Sequence, residues 1–175
     1  MNYLTLPIGS RAPDIVRVVI EIAKDTNTKF EFDEEFNTFV LDRVLLSSML
    51  YPANYGFLPS THAEDGDPLD VMVLMNNSMP PGTVVMAQPV GVLDMTDGGK
   101  KDYKVLAVPV FQRNPPLEIE DVDQVFLMIA RNFFKGYKEL EGKHVEIGEW
   151  LGRQEAYRII NESRLSYDRY FELEF

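Results

Sequence analysis

The run Glu64-Asp65-Gly66-Asp67-Pro68-Leu69-Asp70-Val71-Met72-Val73-Leu74 joins the densest acidic cluster of the chain to an apolar segment of strand type. Its first seven residues hold four carboxylates and no base, so the charges repel one another and stay ionised cheaply only around a cation. Hard divalent ions take such oxygen ligands. Gly66 permits a tight turn and Pro68 stiffens it, so that Asp65, Asp67 and Asp70 can converge. An EF-hand does not fit, because Asp70 would occupy the sixth loop position, where that loop requires glycine. An acidic turn is usually solvated surface, but this one ends at a buried-type strand, which favours a site.

Outward from this run the first two-thirds of the chain reads as short strands at 16–22, 29–32, 38–44, 71–75, 83–93 and 105–111. Turn clusters at 25–27, 80–82 and 96–99 separate several of them. Such a series suggests a small barrel or a sandwich. The last third changes period: Val122, Val125, Phe126, Ile129, Phe133, Tyr137 and Leu140 recur at spacings of three and four, the stripe of an amphipathic helix laid on the barrel. Glu118, Glu120 and Asp121 suit its start, Gly142 its stop, and a second helix is expected at about 153–161. No repeat, low-complexity tract or linker divides the chain, so a single domain over 1–175 is expected.

Composition narrows the function. Against 17 Lys and Arg stand 28 Asp and Glu among 175 residues, a net charge of −11, which disfavours a grip on nucleic acid phosphates or an anionic membrane. There is no cysteine, which excludes disulfides, a thiolate nucleophile and cysteine-ligated zinc. No apolar run approaches the roughly 18 residues of a membrane span, and no basic start leads into an apolar stretch. A soluble, cytoplasmic protein is expected.

A second acidic group, Asp94, Asp97 and Asp102, lies around the turn at 96–99. If a strand begins at Asp102, then Asp102 and Lys104 project to one face and Tyr103 to the other. By the same period Lys29 and Glu31 share a face opposite Phe30 and Phe32. Arg43 follows on the next strand and with Lys29 makes a candidate anion grip, since a guanidinium can fork two bonds to a phosphate. Tyr51, Tyr55 and Tyr137 supply phenols that can donate to phosphate without adding charge, although Tyr137 also fits the core stripe, and Lys138 follows it. His62 and His144 are far apart, Ser47-Ser48 lacks a nucleophile-elbow context, and neither common nucleotide fingerprint is present. Met72, Met75, Met79 and Met86 read as core filler.

In chain order these stretches resemble the soluble inorganic pyrophosphatases of family I. The resemblance is carried by Val19-Ile20-Glu21-Ile22, Lys29-Phe30-Glu31, Asp42-Arg43, Tyr51-Pro52-Ala53-Asn54-Tyr55-Gly56, the run from Asp65 to Val71, Met95-Thr96-Asp97 with Asp102 and Lys104, and Phe133-Phe134 with Tyr137-Lys138. It implies an α+β, mainly β fold: an OB-like five-stranded closed barrel with flanking helices. It also implies hydrolysis of pyrophosphate to two phosphates with several Mg2+ ions. On that resemblance Asp65, Asp70 and Asp102 are ligands of the tighter metal sites, Asp97 joins Asp102 at a further one, and Glu31 reaches an ion that arrives with substrate. Asp67 resembles the general base. Lys29, Arg43, Tyr55, Lys104, Tyr137 and Lys138 resemble the phosphate-binding set, with Glu21 and Tyr51 as supporting members. The short bacterial-type members imply a homohexamer. The chain departs from the common pattern at Ala23, Phe30, Phe32 and Gly98, and Lys100 and Lys101 add positive charge to that turn. The alternative is a non-catalytic OB-like module that binds a divalent metal or a metal-phosphate ligand. A nucleic-acid-binding OB module is disfavoured by charge.

Overall fold

The computed structural model describes residues 1–173; of the domain expected over 1–175, the last two residues lie outside the described ones. Its elements are β1 (Val16–Ile22), β2 (Thr28–Asp33), β3 (Thr38–Val44), β4 (Asn54–Phe57), β5 (Asp70–Val73), β6 (Val84–Asp97), β7 (Lys100–Lys101), β8 (Lys104–Pro109), α1 (Gln124–Gly136), β9 (Val145–Gly152) and α2 (Arg153–Leu173). Strands pair in the order β1, β4, β5, β8, β6, and β6 returns to β1, so five strands close into a ring. Closure leaves the ring no free edge to template aggregation. Only β5 and β8 are parallel within it. The expected mainly β fold with a closed five-stranded ring and flanking helices is met. Among the described residues no helix is long and apolar enough to cross a membrane.

Alternate residues of the ring strands feed two apolar cores. Val71 and Val73 of β5, with Val105 and Ala107 of β8, pack with Ala156, Ile159 and Ile160 of α2. Met72 and Leu106, one residue out of step, pack with Leu127, Ala130, Phe133 and Phe134 of α1. Because both faces are covered, these strands read as continuous apolar runs rather than alternating ones. The α1 core is the one that matters for function: Tyr55, Asp70 and Lys104 lie on the same strand faces as it does, by the period of two.

Several expected boundaries shift. Strand β4 falls in a stretch that reads as turns, because only four residues pair and Asn54 and Gly56 are poor strand formers. Strand β9 was not expected, and α2 runs on to Leu173, well past the expected end at 161. The helix start is Asp123, whose side chain accepts from the Val125 N–H, while Glu118 and Asp121 form a capping box on a short 3-10 turn before it. The expected stripe holds in part: Val122, Phe133 and Tyr137 are buried, but Val125, Ile129 and Leu140 are exposed, and Leu127, Ala130 and Phe134 are buried as well. The small Ala130 lets the helix approach the sheet on that face, which a count of large apolar residues overlooks. Met72 is buried as expected, but Met86 stands partly exposed.

One glycine is dictated by packing. A Cβ on Gly56 of β4 would fall inside the carbonyl oxygen of Val19 on β1. Opposite it β1 carries a bulge, with Ile20 paired to Gly56 and Ile22 to Tyr55, so Glu21 is the extra residue. A bulge bends its strand and re-aims a side chain, and Glu21 lines the cleft described next.

Candidate active site

The acidic run forms a short loop held at both ends by the residues before it. The Ala63 N–H donates to the Asp67 carbonyl at 2.8 Å and the Gly66 N–H to the Ala63 carbonyl at 3.1 Å. The Leu69 N–H donates to Thr61 Oγ1 at 2.9 Å. Gly66 has φ +103, a conformation open to glycine and costly for other residues. Asp65 Oδ1 accepts from the Asp67 N–H at 3.1 Å, closing the turn.

Where the loop enters β5, Asp70 lies beside Lys104 of β8 in the parallel register. Lys104 donates to both Asp70 and Asp102. The Lys104 side chain is only 3% exposed; burial works against its charge, but Asp70 and Asp102 hold its pKa above the ordinary lysine value. It also lies over the rings of Tyr55 and Phe134, 5.8 and 5.7 Å from their centroids. Tyr103 points away, into a cavity on the far side, as the strand period predicts. Asp102 itself precedes β8 rather than opening it.

The hairpin of β2 and β3 supplies the opposite wall. Lys29 and Arg43 are cross-strand partners and share one carboxylate, Asp42, at 3.1 and 2.6 Å. Lys29 also donates to Glu31. Burial opposes the Lys29 charge, but Glu31 and Asp42 raise its pKa. Arg43 Nε donates to Glu141 at 3.0 Å. Lys138, just after α1, donates to Asp97 Oδ2 at 2.5 Å, which ties the end of the helix to the end of β6.

These pieces meet in one cleft of about 410 Å³. Its lining includes Glu21, Glu31, Asp65, Asp67, Asp70, Asp97 and Asp102 against Lys29, Lys104 and Lys138: seven carboxylates to three ammonium groups. Tyr55 and Tyr137 line it too. Of the expected set, Arg43 and Tyr51 are absent from the lining. Arg43 is bonded to Asp42 and Glu141, and Tyr51 is buried behind, its ring 5.4 Å from Tyr55 and 4.6 Å from Phe133. Asp94, of the second acidic group, turns away to Lys101 at 2.6 Å. Glu141 was not anticipated, since nothing in its sequence neighbourhood marks it. Leu4 also lines the cleft, from an N-terminal stretch that carries no signal of function.

Charge crowding shows in the acids. Burial first, then Asp65, Asp70 and Glu31, raise the Asp67 pKa. Burial raises that of Asp102, with Lys104 opposing and Asp70 adding to it. Glu21 is pushed up to about 8, chiefly by burial, despite accepting from the Phe32 N–H at 2.9 Å. Burial keeps the Tyr51 and Tyr55 phenols protonated far above neutrality. Among the described residues no three acidic or imidazole side chains converge as a finished metal cage, because Glu31, Asp70, Asp97 and Asp102 are turned onto lysines. An all-oxygen donor set with excess negative charge still fits a hard divalent cation rather than a soft one.

The family model described as inorganic pyrophosphatase matches residues 18–168. The chain belongs to the inorganic pyrophosphatase family. It is 44% identical over 158 residues to the inorganic pyrophosphatase of Sulfolobus acidocaldarius, which spans 87% of this chain and 91% of that one. It is 40% identical over 174 residues to that of Aquifex pyrophilus, spanning 97% and 98%. The crystal structure of inorganic pyrophosphatase from Thermus thermophilus superposes with a TM-score of 0.93 at 37% identity, covering 96% of this chain and 99% of that one. Membership makes the chain an enzyme of pyrophosphate hydrolysis and implies a divalent metal cofactor.

Proposed function

We propose that this cleft hydrolyses pyrophosphate with Mg2+ as the divalent ion and Asp67 as general base. The observation that carries the reading is the seven carboxylates and three ammonium groups gathered in one cleft. Asp65, Asp70 and Asp102 would hold the tighter ions, Asp97 with Asp102 a further one, and Glu31 one that enters with substrate. When bound, such ions supply acidification of water and neutralisation of phosphate charge.

The chain's own groups do the rest. Asp67 takes the proton of the attacking water as its oxygen bonds to one phosphorus; the bond to the bridging oxygen breaks and its electron pair leaves with the second phosphate. A raised carboxylate pKa suits a base that must work near neutral pH. Lys29, Lys104 and Lys138 face the charge that spreads over phosphate oxygens in the transition state. Arg43, the cross-strand partner of Lys29, would bind the outer phosphate. Tyr55 and Tyr137 donate hydrogen bonds without adding charge, and Tyr51 supports them from behind. Glu21, neutral below about pH 8, fixes the Phe32 backbone beside Glu31.

The test is phosphate release from pyrophosphate with Mg2+ by the parent and by Asp67→Asn. Loss of about 10²-fold or more in kcat is expected for removal of a general base. Equal rates would end the role of Asp67, and an inactive parent would end the proposed function. We also infer a homohexamer in the cytoplasm: α1 turns Val125, Met128 and Ile129 outward, a face suited to another copy. Sedimentation as a monomer at micromolar concentration would refute the assembly.

A further inference from the structure

The residue before the acidic loop's first tie is held by the far end of the chain. One face of α2 reaches His62 over successive turns, through residues 163, 166 and 170. Its N–H donates to the Ser163 carbonyl at 2.9 Å, its Nδ1 shares a hydrogen bond with Ser166 Oγ at 3.1 Å, and its ring stacks on Tyr170 at 5.0 Å between centroids and 17° between planes. His62 stands between the two residues that close the loop. Thr61 accepts from Leu69 through Oγ1, and Ala63 donates to the Asp67 carbonyl. A cavity of about 430 Å³ opens beside this contact, with His62, Ala63 and Glu64 of the segment and Ser163 and Ser166 of α2 in its wall. At the other end of the loop Leu69 is buried in the core that holds Ala156, Ile159 and Ile160 of α2, so His62 is the helix's hold on the end that leads into Asp65 and Asp67. On its other flank the loop is tied by the Lys101 N–H, which donates to Glu64 Oε2 at 3.2 Å.

We propose that His62 is a positioning residue: docked on Ser163, Ser166 and Tyr170 of α2, it sets the loop that carries Asp65 and Asp67. The helix thus bears on how readily the loop is in place for metal, without itself lining the cleft. His62 takes no part in proton transfer, and either tautomer bonds to a hydroxyl. For its kinetic consequence the inference rests on the proposed roles of Asp65 and Asp67; for its structural consequence it stands alone.

The test uses His62→Ala and Ser166→Ala in the full chain. The first readout is amide hydrogen exchange at Ala63, Gly66 and Leu69 without added metal or substrate, which reports local opening of the loop. Loss of a hydrogen bond and a ring stack predicts about tenfold faster exchange there for His62→Ala, with a smaller rise for Ser166→Ala. The amides of Val71 and Val105 should not change. The second readout is the Mg2+ concentration for half-maximal pyrophosphate hydrolysis, expected to rise about threefold to tenfold while kcat at saturating Mg2+ stays close to the parent's. His62→Asn, which keeps a hydrogen-bonding side chain, should recover part of both. Unchanged exchange in His62→Ala overturns the proposal, as does faster exchange with an unmoved Mg2+ requirement. A parent that releases no phosphate overturns the proposed function instead, and the exchange comparison still decides the clamp.

Discussion

Glu21 offers a test of the cleft's electrostatics that needs neither substrate nor metal. It is the bulged residue of β1, its carboxyl accepts from the Phe32 N–H, and it faces Asp70 and Glu31. Burial is the largest cause of its pKa of about 8, against an ordinary 4.5; the Phe32 bond pulls the other way, and the two acids push it further up. Between those two values the folded chain keeps a proton that the unfolded chain has released. By linkage, stability must then fall as pH rises through that window, at about 1.4 kcal/mol per pH unit. The contribution is fully present below the unfolded value and gone above the folded one.

Taken over the whole window this amounts to a ceiling of about 5 kcal/mol. The side chain keeps some exposure, which lowers a realistic figure to about 2 to 3 kcal/mol. Glu21→Gln keeps the shape and an oxygen for the Phe32 N–H but cannot ionise. With a chelator present, urea unfolding followed by the fluorescence of Trp150 should show the two proteins alike near about pH 4.5. By about pH 8.5 the variant should be the more stable by that 2 to 3 kcal/mol. A stability difference that does not change with pH would refute the reasoning, because a purely steric effect of the amide has no proton in it.

Lys104→Met should destabilise the chelated protein by about 3–5 kcal/mol, since Asp70 and Asp102 are left facing each other without a counter-charge; added Mg2+ should recover part of the loss, and an equal loss with and without Mg2+ would refute the shared use of these carboxylates. Gly56→Ala should cost more than the about 1–3 kcal/mol of ordinary overpacking, because the new Cβ meets backbone of β1 rather than a movable side chain; a urea midpoint equal to the parent's would show that β1 and β4 can separate cheaply.

The acidic run and the Asp102, Lys104 pair were legible because both rest on local rules. Like charges in a short turn need a partner, and residues two apart on a strand share a face. The Lys29, Arg43 pair was legible for the same reason, and the structure adds that Asp42 joins them. What escaped the sequence depends on long-range contact. Strand β4 has only four residues and is made a strand by neighbours on both sides. Strand β9 exists because β6 is long enough to pair with it beyond the ring. The buried face of α1 includes Phe133 of the expected stripe but is completed by Leu127, Ala130 and Phe134, while Val125 and Ile129, which share the apolar spacing, stay exposed. Glu141 and His62 act across 98 and 104 residues of sequence, distances at which a single sequence carries no pairing signal.

The pairing of charges in the cleft gives the excess of acid a sharper meaning. Each proposed metal ligand that is bonded to a side chain is bonded to a proposed phosphate ligand: Glu31 to Lys29, Asp70 and Asp102 to Lys104, Asp97 to Lys138. A lysine held this way keeps its proton despite burial, so it is ready as a cation at the moment its carboxylate takes another partner. Under the proposed function a divalent ion that claims Asp70 or Asp102 therefore loosens Lys104 toward the phosphate, and substrate that draws Lys104 away leaves the carboxylates freer for the ion. Binding of the two is coupled through the same ammonium group, with no conformational change of the ring required. Asp67 lies outside these pairs: its pKa is raised by burial and by its acidic neighbours, with Lys29 only a minor opposing influence. That is the condition a general base needs, and it follows from which carboxylates the fold leaves without a lysine.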